Sequence, residues 1–205
     1  HISIIEDIKT SLQLFKNGEL DWIGEPLAEA PANLFKESGI PIYSRPTTSV
    51  SWLSCNLTRT PFQSKKVRRA LSLALDRQSL ISKCLYGDER ASHSILPLQI
   101  SQLDPNHPLP YNPNLARQLF EEGLSDLGLQ KGTLPQFQML VSERTPYTTL
   151  ADEIARMWKE ALGMDFRICS VKRKDFLPTR AKEHHDITLM EWACWYNDPH
   201  YSLSV

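Results

Sequence analysis

The chain has 205 residues, 41% of them hydrophobic and 23% charged, which is enough apolar material for one well-buried core. Lys and Arg number 23 against 24 acids, a net charge of -1, so no broad positive field is available to attract nucleic acid or anionic lipid. No apolar run approaches the roughly 20 residues of a membrane-spanning helix. The start, His1-Ile2-Ser3-Ile4-Ile5-Glu6-Asp7, lacks the basic segment and small-residue cleavage site of a signal peptide. It opens on a strand-like run without Met, which fits a piece cut from a longer precursor.

In chain order, Ile2–Ile5 reads as a strand. Ile5, Ile8, Leu12 and Phe15 then recur at helical spacing until Asn17-Gly18 ends the run, glycine being the residue that best tolerates a left-handed cap. After a proline-punctuated stretch over 26–46, Ser49–Leu57 holds Val50, Trp52 and Leu53 and favours a strand. Val67, Ala70, Leu71, Ala74 and Leu75 form the strongest helical face, and Asp76 is placed to cap a second helix carrying Leu80, Ile81, Cys84 and Leu85. Residues 92–112 read as a long surface excursion pinned by rigid turns. Asn112-Pro113 opens a helix with Leu115, Leu119 and Phe120 on its stripe, and Phe137–Val141 is a strand.

Thr145-Pro146 repeats the cap-then-proline start for a helix bearing Leu150, Ile154, Met157, Trp158 and Leu162, which Gly163 terminates. Met164–Val171 is a further strand. A short basic segment with Phe176 and Leu177 leads to the last strand, Asp186–Trp192. Strands alternating with helices predict an α/β or mixed α+β fold in one domain over 1–205. Cys55, Cys84, Cys169 and Cys194 lie far apart without a CxxC pair, which argues against a zinc or redox motif and for buried single thiols, a disulfide being the alternative that spacing leaves open.

Several stretches, in order, resemble the large solute-binding proteins of peptide ABC importers, the oligopeptide- and dipeptide-binding proteins. Leu14-Phe15-Lys16-Asn17-Gly18-Glu19-Leu20-Asp21 is similar to a helix and turn of that family. Asn56, Thr60-Pro61-Phe62 and the run from Lys66 to Arg77 are similar to its most distinctive segment, and Gly87 and Pro97 follow at fitting distances. Asn114–Gly123, Trp158–Gly163, Phe176-Leu177 with Thr179-Arg180, and Trp192 with Tyr196-Asn197-Asp198-Pro199 complete the series. The resemblance implies the second lobe of a two-lobed, type II periplasmic binding protein-like fold, with the first lobe and a returning tail absent. It also implies a monomer outside the cytoplasm, in a periplasm or on a lipid anchor, that delivers peptides to permease subunits and is not an enzyme.

The same resemblance implies strand addition of the ligand along Met190, Glu191, Trp192, Ala193 and Cys194, continuing into Trp195, Tyr196, Asn197 and Asp198. Three departures stand out. Trp195 occupies the position of an aspartate that pairs with a ligand amino group, Leu189 that of a carboxylate-binding arginine, and Tyr147 that of a histidine with the same use. Arg180 matches a cleft arginine, and Arg173 and Arg144 lie nearby in sequence. The alternatives are a modified short peptide, a metal complex or haem on the same scaffold, or a non-transport interaction module. Two features point away from other chemistry. His184-His185 at a strand start would face opposite ways and chelate poorly, and Cys194 follows a strand without the helix N-terminus or glycine-rich turn of a cysteine hydrolase. No resident metal or cofactor is expected.

Overall fold

Four strands make one mixed sheet in a computed structural model that describes residues 4–5, 7–23, 39, 47–85, 89–92, 94–97, 100–101, 111–143, 146–182, 184–196 and 198–204. The helices are α1 Ile8–Lys16, α2 Lys65–Leu73, α3 Arg77–Cys84, α4 Pro113–Ser125, α5 Tyr147–Leu162, α6 Arg173–Arg180 and α7 Pro199–Leu203. The strands β1 Ser49–Cys55, β2 Phe137–Ser142, β3 Phe166–Val171 and β4 Ile187–Ala193 lie in the order β1-β4-β2-β3. β2 runs parallel to both β3 and β4, whereas β1 is antiparallel to β4.

Alternation sorts the sheet's side chains. Leu53 and Cys55 on β1, Ile187 and Leu189 on β4, Phe137, Met139 and Val141 on β2, and Phe166 and Ile168 on β3 all join one core with α2, α4 and α5. Its centre is aromatic: Phe62 meets Phe137 edge-on at 5.2 Å, and Trp158 lies 5.0 Å from Phe166. The buried Trp158 indole still finds an acceptor, donating to the Leu71 carbonyl at 2.9 Å, which binds α5 to α2 by a directional contact as well as by area. Gly123 lets α4 approach α2 closely, since a Cβ there would sit 2.9 Å from both Ser64 Oγ and Val67 Cγ2.

Most of the predicted starts and stops are present. Asp76 caps α3 by accepting from Ser79 N, Asn112 caps α4 with Pro113 following, and Gly163 ends α5 at φ 71°. Four expectations change. Ile4 and Ile5 lie outside any strand, Ile4 being 95% exposed, and Ile2 is outside the described residues. α5 takes Pro146 itself as its cap residue, with no side-chain cap bond, so Pro146 is not the first helical residue; Thr145 is outside the described residues. The basic segment 173–180 is a helix despite Pro178, which lies in its last turn, where the missing N–H removes a single backbone bond. All four cysteines are free thiols, and only Cys194 is fully buried.

Connections place α5 and α6 on opposite faces. The chain moves from β2 to the neighbouring β3 through α5, then returns past β2 to β4 through α6; right-handed crossovers in opposite directions must use opposite faces. α5 carries its own acid-sensitive cluster. Glu153 accepts from Arg156 Nε at 2.7 Å and from Lys83 Nζ at 3.0 Å. Arg156, and then Lys83, hold its carboxyl down at about 2 against burial, which acts the other way. A depressed carboxyl contributes stability above its unfolded value and loses it on protonation. The stability gap between the native chain and Glu153→Gln is therefore expected to be full at neutral pH and to close as pH falls from about 4.5 to about 2, read by thermal melts across that window.

Candidate functional site

Asp186 fixes the start of β4. Its buried carboxylate accepts from Arg59 Nε and from the Gln138 backbone N, both at 2.7 Å, while its own N donates to Gln138 O at 3.0 Å. Its carbonyl accepts from Asn56 N at 2.8 Å, and Asn56 Nδ2 donates to His185 O at 3.2 Å. One acid thus ties β1, β2 and β4 together at a single point.

Beyond that point β4 separates from β2. The β2–β4 register holds only Met139 opposite Ile187 and Leu140 opposite Thr188, whereas β2 continues against β3 as far as Ser142 opposite Val171. β1 stays with β4 from Ile187 to Ala193. The bonds Asn56 N to Asp186 O and Cys194 N to Thr48 O fix the phase of that antiparallel ladder. Since bonded positions alternate, Thr188, Met190 and Trp192 turn their backbone groups to β1, and Leu189 and Ala193 turn theirs to the opposite edge. No strand pairs with that edge beyond Thr188 among the described residues.

This opening lies at the carboxyl ends of the parallel strands, where adjacent connections leave to opposite faces. Ligands of open α/β sheets bind in such crevices. Tyr147 begins α5 just beyond β2, and Arg173 begins α6 just beyond β3, so both stand at the same edge as residues 189–196 of β4 and its exit. Tyr147 is half-buried against the core, and Arg173 is exposed. The Ser142 hydroxyl, at the end of β2, is buried without a partner among the described residues.

The other candidate residues divide. Leu189 packs into the core and offers only backbone. Met190 and Cys194 are also buried; Cys194 Sγ lies 2.7 Å from Ser202 Oγ, and Thr48 Oγ1 donates to the Cys194 carbonyl. Glu191 accepts from Ser49 Oγ at 3.1 Å. Trp195 is 87% exposed, and Tyr196 meets Tyr201 edge-on at 4.8 Å. Asp198 caps α7, accepting from His200 N at 2.8 Å. Asn197 and Arg144 are outside the described residues. Arg180 ends α6, so it stands at the amino end of β4, away from Arg173 and Trp195.

Trp192 Nε1 is buried with no partner among the described residues. Trp192→Phe keeps most of the bulk and removes an unsatisfied donor, so it is expected to leave stability unchanged or raise it by up to about 1 kcal/mol in urea unfolding. A loss above about 1 kcal/mol would mean that the indole N–H is in fact satisfied.

The whole chain, residues 1–205, matches the middle segment of the bacterial extracellular solute-binding proteins, family 5. The chain belongs to this family. It is 27% identical over 203 residues to the oligopeptide-binding protein OppA of Bacillus subtilis, covering 96% of this chain and 37% of that protein. A periplasmic oligopeptide-binding protein of Borrelia burgdorferi has the same fold, with a TM-score of 0.78 at 24% identity over 98% of this chain and 39% of that one. Haemophilus influenzae OppA, solved in complex with RPPGFSPFR, matches with a TM-score of 0.72 at 24% identity over 96% of this chain and 40% of its own. The expected α/β architecture of a periplasmic binding protein is therefore present, and the family is one of binding proteins. Neither Asp186 nor the separation of β2 from β4 was singled out from the sequence. Both depend on which strands become neighbours, and no local pattern encodes that.

Proposed function

We propose that this family 5 chain is the second lobe of a two-lobed, monomeric peptide-capture protein that works outside the cytoplasmic membrane, free or lipid-anchored, and hands peptides to the permease of an ABC importer. The observation that carries this reading is the edge of β4 beyond Thr188, a strand edge without a neighbouring strand among the described residues, at the crevice of the sheet. A peptide added there is held through backbone groups that every peptide has, while its side chains go to either face. Leu189 and Trp195 bring no charge to this edge, Asp198 is committed to its helix cap, and Glu191 accepts from Ser49. Recognition of free termini is accordingly secondary on this lobe. No catalytic role is assigned to any residue.

The test is calorimetric titration of the full-length protein with a mixed tripeptide library, beside the same peptides acetylated or amidated and a set N-methylated along the backbone. End-blocked peptides are expected to bind like the free ones. Backbone methylation is expected to weaken binding by about tenfold or more for each lost strand bond to a desolvated group. Absence of binding by any peptide would sink the reading.

A further inference from the structure

The fork where β4 parts from β2 has a polar residue at its apex. Backbone groups along β2 alternate between its two neighbours. Gln138 O accepts from Asp186 N on the β4 side at 3.0 Å, whereas Glu143 N donates to Val171 O on the β3 side at 2.7 Å. Ser142 is in phase with Gln138, so its N–H and C=O point towards β4. The ladder between those two strands has already ended, with Leu140 opposite Thr188. No strand therefore meets the Ser142 backbone on that side among the described residues.

The side chain is in the same condition. Phe137, Met139 and Val141 belong to the core, so alternation puts the Ser142 side chain on the other face of the sheet, with Leu140. Its Oγ is buried and has no partner among the described residues, although a hydroxyl rotates to suit either a donor or an acceptor. A buried hydroxyl left unmatched is costly, and in a native fold it calls for an explanation. Here it stands at the carboxyl end of a parallel strand, where open sheets take their ligands.

The free edge of β4 has one closed end and one open end. It runs from Leu189 to Ala193, about 13 Å, the length of three or four extended residues. At the Leu189 end β2 still lies alongside, through Met139 and Leu140. Past Ala193 the chain leads out to Trp195, which is exposed. A strand laid along this edge takes the line that β2 leaves, and its inner end meets Ser142.

We propose that Ser142 is the end stop of the strand-addition site. Its hydroxyl hydrogen-bonds the last main-chain amide group of the ligand, at the end nearest Leu189, and so sets which ligand residue lies against which residue of β4. The assignment rests on peptide capture at the β4 edge. A main-chain amide is present in free and end-blocked peptides alike, so this contact requires no charged terminus.

The test is calorimetric titration of the full-length protein and of its Ser142→Ala variant with tripeptides, and with the same tripeptides carrying an ester in place of each amide in turn. Ser142→Ala is expected to bind about fivefold or more weakly. The melting temperature of the unliganded variant is expected to stay the same or rise, because no hydrogen bond within the protein is lost. Ser142→Cys, close in shape but a weak hydrogen-bond partner, is expected to follow Ser142→Ala. The ester at one end of the tripeptide is expected to weaken binding to the native protein more than binding to Ser142→Ala. Affinity within about twofold of native in Ser142→Ala, ester losses that match in native and variant at every position, or a weaker affinity that comes with an equal loss of thermal stability overturns the proposal. If the native protein binds no peptide, the capture reading itself fails; if it binds and Ser142→Ala binds equally well, only the end stop fails.

Discussion

Asp186→Ala is expected to destabilise the fold by about 3 kcal/mol, more than any other single polar substitution described above. Its carboxylate is the meeting point of Arg59 Nε and Gln138 N, so removal leaves a backbone donor on a central strand without an acceptor. Asp186→Asn is expected to recover less than half of the loss, because an amide presents a single acceptor oxygen and must turn its NH₂ towards one of two donors. Arg59→Ala should cost only about 1 kcal/mol, since the arginine side chain is 42% exposed and its loss leaves the carboxylate still bonded to Gln138 N. Urea unfolding of the three variants measures the order directly. Equal losses for Asp186→Ala and Arg59→Ala would show that the ion pair, rather than the junction of three strands, is what matters.

Ala193→Pro is expected to weaken peptide binding by about tenfold or more while lowering the melting temperature by no more than a few degrees. The Ala193 N–H faces the edge away from β1, and proline is tolerated in strands where the donor it removes has no ladder partner. Trp192→Pro is the matched control: its N–H faces β1, so proline there removes a ladder bond to Val50 and should destabilise the strand outright. Unchanged peptide affinity in folded Ala193→Pro would remove strand addition at β4 from consideration.

Many of the residues that made the chain recognisable turn out to be scaffold. In the segment from Lys66 to Arg77, Val67, Ala70, Leu71, Leu73, Ala74 and Leu75 are core. Arg68 pins the preceding loop through the Phe62 and Gln63 carbonyls, Asp76 caps α3, and Arg77 holds Ser72. Asn56 closes its own turn by accepting from Thr58 N and Oγ1. A family likeness built on such residues reports the fold, because packing and capping constrain them more tightly than ligand contact does.

The sequence by itself determined most of the elements and the core. Period-3.6 stripes placed α2 to α5, with cap residues at the starts of α3 and α4 and the end of α5, while β-branched and aromatic content placed β1 and alternation placed β4, because these signals are local and survive in any tertiary context. Only the tertiary structure decided the order β1-β4-β2-β3, the junction at Asp186, the separation of β4 from β2 after Thr188, and the placing of Arg173 and Arg180 at opposite ends of the sheet. Each of these follows from pairing between segments far apart in sequence, 127 positions in the case of Arg59 with Asp186, and no local pattern of residues specifies which distant strand edges will meet.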